Sequence, residues 1–179
     1  MIVKTNTNQR ESCNRDNCMI CRFKPSYGAC KKSSVTYKIT CRRYPCWKEV
    51  NGSEEQAGTN RPALYYGETY KTAFLRGTEH EGGYRDQSDT SVLYLHSIDC
   101  HGGEFGPEGG IWDYQMEVVK SFYDPMSRQV AEGTKIRWLE GEELGGKAIC
   151  LNSRLDWLQS AKMKMIANRR ESNEYPTAN

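Results

Sequence analysis

The stretch LYYGETYKTAFLRGTEH, residues 64–80, decides the fold. Leu64-Tyr65-Tyr66 reads as a short apolar strand that breaks at Gly67, and the polar turn Glu68-Thr69 leads into a helix. In that helix Thr72, Arg76 and His80 recur at every fourth residue, so their side chains share one face. A tyrosine leaving a strand then faces a fixed positive charge and a proton handler, an arrangement suited to an anionic group. The bland alternative is a strand–turn–helix with a solvated polar face.

Working outward, residues 35–41, VTYKITC, alternate as a half-buried strand, with Val35, Tyr37, Ile39 and Cys41 on one side. Residues 42–62 read as a long loop, so this strand and a second over about 63–66 form a hairpin. Gly82-Gly83 ends the helix that carries Arg76 and His80. Asp89-Thr90-Ser91 offers an N-cap for a second helix from Val92 to about Cys100. Residues 102–110 are a glycine-rich loop, and Trp112, Tyr114, Met116 and Val118 mark a third strand. Asp124-Pro125 starts a helix that runs to about Trp138 and carries Arg128 and Glu132 on one face. Residues 140–147 read as an acidic glycine loop, and Ile149-Cys150-Leu151 as a short apolar segment ending in Asn152-Ser153. The fold class is α+β, a small antiparallel sheet of about three strands flanked by helices.

The 179-residue chain has a mean hydropathy of −0.81, no apolar run of membrane-spanning length and no signal-peptide core at its N-terminus. These features lead us to expect an intracellular protein. Its net charge of +2 hides an asymmetry: residues 1–50 carry eleven Lys/Arg against three Asp/Glu, and residues 51–123 five against twelve. A basic end beside an acidic middle fits a polyanion-binding arm next to a site for a metal cation.

Eight cysteines without a secretory signal point to metal rather than disulfides. Cys13, Cys18, Cys21 and Cys30, threaded with Arg15, Arg22, Lys24, Lys31 and Lys32, supply four soft ligands for a tetrahedral zinc. Tyr27-Gly28 lies where their loop must turn. A second zinc site pairs Cys41 and Cys46 with His96 and His101 and staples the hairpin loop to the second helix. Cys100 competes for the fourth position because it lies four residues from His96; His101 is preferred, at the helix end where the backbone can turn it. The chain accordingly divides into a four-cysteine zinc module at 1–32, a main domain at 33–158 with the second, mixed cysteine–histidine zinc site inserted, and a polar basic tail at 159–179.

With these residues assembled, the chain resembles the GIY-YIG endonuclease domain. The half-motifs are Val35-Thr36-Tyr37 and Tyr65-Tyr66-Gly67, followed by Arg76 and His80. Arg128-Gln129-x2-Glu132 is similar to the helix that supplies the family's glutamate, and Leu151-Asn152-Ser153 to its late asparagine. The likeness spans about residues 35–155 and is closest to the domain of Penelope-like retroelements, where Cys41, Cys46 and the run Ser91, His96, His101 also have counterparts. Val35-Thr36 in place of Gly-Ile, and Tyr66 in place of the second Ile, are departures at backbone or packing positions.

The resemblance implies a DNA endonuclease, a nicking phosphodiester hydrolase that uses one Mg²⁺ or Mn²⁺ held by Glu132. Arg76 would offset transition-state charge, Tyr37 would act as base or water positioner, Tyr65 and His80 would orient water or phosphate, and Asn152 would tie the site together or touch phosphate. The basic zinc module, with Lys162, Lys164, Arg169 and Arg170, would contact the duplex backbone. The expected partners are double-stranded DNA and, in a longer protein, a reverse transcriptase domain with its template RNA, with a nuclear location. The alternatives are a GIY-YIG nuclease of repair, recombination or homing, and a zinc-stabilised DNA-binding module without activity.

Overall fold

A computed structural model describes residues 13, 15, 17–23, 28–43, 46, 61–101, 110–144 and 147–152. The expected polar stretches 1–12 and 159–179, Lys24, Tyr27, most of the loop 42–62, most of the glycine-rich loop 102–110, Gly145-Gly146 and Ser153 lie outside the described residues, as do Lys162, Lys164, Arg169 and Arg170.

Four strands, β1 (Val35–Cys41), β2 (Ala63–Thr69), β3 (Tyr114–Ser121) and β4 (Ile149–Cys150), form one sheet in the order β3-β1-β2-β4. β1 pairs antiparallel with β2 and β3, whereas β4 pairs parallel with β2. The expected three-stranded antiparallel sheet is therefore a four-stranded mixed one. Ile149-Cys150 is too short to announce itself as a strand; its pairing with Ala63 and Leu64 is a tertiary event. Among the described residues three α-helices, α1 (Ala73–Arg85), α2 (Val92–His101) and α3 (Pro125–Leu144), complete an α+β fold.

β1 is central rather than half-exposed. Val35, Tyr37, Ile39 and Cys41 are buried on one face, and Thr36 is buried on the other. Side chains alternate across a strand, and residues paired in antiparallel register point the same way. The Tyr37 face therefore also carries Gly67 and Tyr65, and the opposite face carries Thr36, Glu68 and Tyr66. α3 covers that opposite face, where Leu139 and Ile136 pack with Tyr66, Leu64, Ala148 and Cys150.

The cysteine-rich segment 13–32 shares the main core. Met19 and Ile20 pack with Ile39, Leu93 and Met116, and Met19 O accepts a hydrogen bond from Met116 N at 3.1 Å. Lys32 O accepts from Ala73 N at 2.8 Å, which ties the segment to the start of α1.

Several expected boundaries move. β2 passes through Gly67 and ends at Thr69. α1 continues through Gly82-Gly83 to Arg85, and the left-handed turn that closes it falls at Gln87 (φ 51°), with Asp86 N donating to Gly82 O at 2.8 Å. Residues Gly110–Asp113 form a 3-10 turn, so β3 begins at Tyr114 rather than Trp112. α2 begins at Val92 as expected, with Ser91 Oγ accepting from Tyr94 N at 3.4 Å, and runs to His101. α3 starts behind Asp124, whose carboxylate accepts from Ser127 N at 2.6 Å, but it continues past Trp138 into the supposed loop and ends at Leu144. The fully buried Leu139 anchors that extra length against the sheet, and packing overrides the cost of Gly141 in a helix.

Candidate functional site

Strand β1 presents Tyr37 to helix α1 across β2. Thr72 caps α1, accepting from Leu75 N at 3.3 Å, and sets the phase that aims Arg76 and His80 at the sheet. Arg76 Nε donates to the Tyr37 hydroxyl at 2.9 Å, and the same hydroxyl lies 2.9 Å from His80 Nε2. The Tyr65 ring stands 6.2 Å from that of Tyr37 and 5.4 Å from that of His80, edge-on to the imidazole. Tyr37 is fully buried, while Tyr65, Arg76 and His80 are partly exposed and line the way to solvent.

Gly67 makes this packing possible. A Cβ there would stand 2.9 Å from Tyr65 Cε1 and closer still to the Tyr37 ring and hydroxyl. Hydropathy reading treats this glycine as a strand breaker; its role is close approach by a neighbouring side chain.

Burial pushes the Tyr37 phenol well above its usual range, Tyr65 adds to this, and the nearby Arg76 charge only partly offsets it. Burial, with Arg76 beside it, pushes His80 down to about 3, so the imidazole is neutral near pH 7. Burial weighs against the Arg76 charge, but Tyr37 and Glu79 outweigh it and hold the guanidinium protonated. Glu79 accepts from Arg76 Nη1 at 2.8 Å and also binds Lys71.

Asn152 holds β2 from its far edge. Its Oδ1 accepts from Tyr66 N at 2.7 Å, and its Nδ2 donates to Tyr66 O at 2.6 Å, as a paired strand residue would. Glu132 approaches from the other side. It follows Arg128 by one turn of α3, and Arg128 is buried in an ion pair with Glu68, on the face opposite Tyr37. Tyr37, Tyr65, Arg76 and His80 thus converge directly. Asn152 and Glu132 lie apart from these four: Asn152 bonds the Tyr66 backbone at the far edge of β2, and Glu132 is on α3, which covers the opposite face. Glu68, Glu79 and Lys71 are charged neighbours of this site that the sequence did not single out; only the packed helices show their partners.

Two further clusters have metal-ligand geometry. The donor atoms of Cys13, Cys18, Cys21 and Cys30 all lie within 4.8 Å of one another, as do those of Cys41, Cys46, His96 and His101. A tetrahedral zinc with bonds of about 2.3 Å to sulfur spaces its thiolates about 3.8 Å apart, so modest contraction closes either set. In the first, the turn in which Cys21 N and Arg22 N donate to Cys18 O, at 3.1 and 3.0 Å, forms the knuckle. Gly28, at φ 80°, supplies the left-handed step that brings in Cys30. In the second, His101 Nε2 is 3.4 Å from Cys41 Sγ and 3.8 Å from Cys46 Sγ. His96 Nε2 is buried with no hydrogen-bond partner among the described residues, as expected of a ligand atom. Cys100 is buried and hydrogen-bonds Cys46, but the close set contains His101.

Burial pushes Cys18 up to about 12 and Cys30 to about 11, and burial pushes both His96 and His101 down to about 4. Crowded neutral thiols and imidazoles lack the countercharge that a zinc ion supplies to its ligands. Both clusters can hold zinc, with all eight donors coming from this chain.

Among known proteins, no family model matches this chain, no curated protein matches it, and no solved structure matches it.

Proposed function

We propose that this chain is a metal-dependent DNA endonuclease of the GIY-YIG type, a nicking phosphodiester hydrolase. The observation that supports this reading best is the Tyr37 hydroxyl held at 2.9 Å by both Arg76 and His80, beside Tyr65. A neutral phenol held between a guanidinium and a neutral imidazole suits fixing a water and a positive charge next to a phosphate.

In the proposed reaction Arg76 donates to the phenol oxygen, and the phenol proton is directed at His80 Nε2. Water attacks the phosphorus and releases its proton to solvent; the bond to the 3′ oxygen breaks, and that oxygen takes a proton from solvent, so the protons balance. Tyr37, held by Arg76 and His80, positions the water rather than keeping its proton, since burial disfavours both a Tyr37 phenolate and a His80 imidazolium. Arg76 offsets charge on the phosphate, and Tyr65 orients the water. Asn152 keeps β2 in register through Tyr66. Glu132, on the α3 side of the sheet, is the carboxylate that the resemblance assigns to Mg²⁺ or Mn²⁺, a hard oxygen donor; a cation there would polarise the phosphate only where the substrate reaches from the Tyr37 face around β2 to α3. The two zinc clusters are structural. The basic face of the first, with Arg15, Lys31 and Lys32, would contact duplex backbone, while the Arg22 guanidinium is turned inward to Ile111 O. In a longer protein the nick would prime a reverse transcriptase domain in the nucleus, as the likeness to Penelope-like retroelements suggests; repair, recombination or homing is the other setting for the same chemistry.

The test is conversion of supercoiled plasmid to open circle by the zinc-loaded chain with Mg²⁺. Tyr37→Phe and Glu132→Ala should each lower the rate by about 100-fold or more. Equal cutting by wild type and both variants would overturn the assignment. The raised Tyr37 phenol favours a second reading, a zinc-stabilised DNA-binding module without activity. That reading predicts salt-sensitive DNA binding and no nicking under any metal.

A further inference from the structure

One end of the sheet gathers exposed aromatic rings. Tyr70, just past β2, is 70 % exposed, and Tyr123, just past β3, is fully exposed at 109 %. Between them Phe122 is partly exposed, with Lys120 Nζ 5.2 Å from its ring centre. Lys71 Nζ lies 6.0 Å from the Tyr70 ring. The backbone joins these rings through the residue before β1: Ser34 N donates to Tyr70 O at 3.3 Å, and Phe122 N donates to Ser34 O at 2.8 Å. Ser34 adopts φ 52°, a left-handed turn that lets one residue bridge the ends of both neighbouring strands.

The surroundings are basic. Lys32 is exposed and bound through its carbonyl to Ala73 N, and Lys71 and Lys120 interleave with the rings. Glu79 pairs with both Arg76 and Lys71, so the Lys71 charge is shared with it, and Asp124 caps α3; Lys32 and Lys120 supply the remaining positive charge. The rings lie next to the Tyr37 site, because Tyr70-Lys71 leads directly into the Thr72 cap and Arg76 follows one turn later. Exposed rings grouped beside lysines mark a contact surface, and a flat, anionic chain matches both the ring faces and the charge.

We propose that this end of the sheet is a stacking platform for unpaired nucleotides, and that the preferred substrate is DNA with unpaired bases beside the scissile phosphate. The binding stands on the rings and lysines alone; the statement about the scissile phosphate rests on the nuclease reading. Every base has a face that stacks on tyrosine, so the platform is tolerant of sequence, and the lysines follow the phosphates.

Fluorescence anisotropy with the full zinc-loaded chain, without added magnesium, tests it on two probes: oligothymidylate of about 15 nucleotides and a blunt duplex of the same length. Tyr70→Ala and Tyr123→Ala should each weaken oligothymidylate binding by about 5- to 100-fold. Duplex affinity should change by less than about 3-fold, because backbone contacts carry it. The double variant Tyr70→Phe/Tyr123→Phe, which retains both ring faces, should bind as wild type. Unchanged oligothymidylate binding by both alanine variants, or an equal loss on both probes, overturns the platform. So does an alanine effect confined to self-association in sedimentation. Plasmid nicking by wild type is scored separately. If nothing is nicked but oligothymidylate binding depends on the two rings, the platform stands and the nuclease reading falls. If nicking proceeds and the rings are dispensable, the platform alone falls.

Discussion

Arg76 and Tyr37, 39 positions apart in the chain, meet through a single hydrogen bond of 2.9 Å from Nε to the phenol oxygen. The bond joins the central strand to the first helix and commits the guanidinium to a group that burial keeps neutral. His80, one turn further along α1, closes on the same oxygen. Tyr37 is at once a core residue and the centre of the candidate site, so changes around it should affect stability and chemistry together.

Gly67→Ala tests the close approach. The added methyl would press on the buried Tyr37 ring, which has no room to retreat. We expect a loss of about 1–3 kcal/mol in urea denaturation. Tyr37→Phe at the same time should lose only the hydroxyl contacts and leave Arg76 and His80 less well paired, at a cost of about 1–3 kcal/mol. Unchanged stability for Gly67→Ala would mean that the ring does not sit over β2.

His80 should remain neutral far below the usual histidine range. Its value is about 3 in the fold, against 6.5 ordinarily. Below about pH 6.5 the unfolded chain therefore binds a proton that the folded chain refuses, and stability falls as pH drops from there towards the folded value. Long-range proton–nitrogen NMR should show a neutral His80 ring down to about pH 5. Ordinary titration near 6.5 would mean that His80 is not buried beside Arg76.

Asn152 substitutes for a missing strand residue. Asn152→Ala removes both bonds to Tyr66 and should cost about 1–3 kcal/mol. Asn152→Asp keeps the acceptor for Tyr66 N but sets a carboxylate oxygen against Tyr66 O, and should be no more stable than alanine in thermal denaturation near pH 7. An aspartate variant as stable as wild type would contradict the paired geometry.

Metal content gives the sharpest stability test. Elemental analysis of the purified chain should find two zinc ions per molecule, one per cluster. A structural zinc contributes about 10–16 kcal/mol of apparent folding free energy, against about 5–15 kcal/mol for a whole domain. Chelation should therefore unfold the chain, as read by circular dichroism. Because Met19 and Ile20 sit in the main core, loss of the first cluster should loosen α1 and β3 as well as the segment 13–32. Protein free of zinc but fully folded would remove both assignments.

The local spacings were legible in the chain itself. The Cys-x2-Cys knuckle, the cysteine pair after β1 and the histidines of α2 pointed to two metal clusters, because ligand spacing is a local property. The four-residue step from Arg76 to His80 placed both on one side of a helix, because helical period is local too. Tertiary structure alone decided the remainder. Whether His101 or Cys100 completes the second cluster depends on how α2 meets Cys41 and Cys46. Ile149-Cys150 becomes a strand only because β2 offers an open parallel edge, and α3 reaches Leu144 only because the sheet buries Leu139. Gly67 reads as a break along the chain and as a seat for Tyr37 across it, because a neighbouring strand's side chain leaves no mark in local sequence.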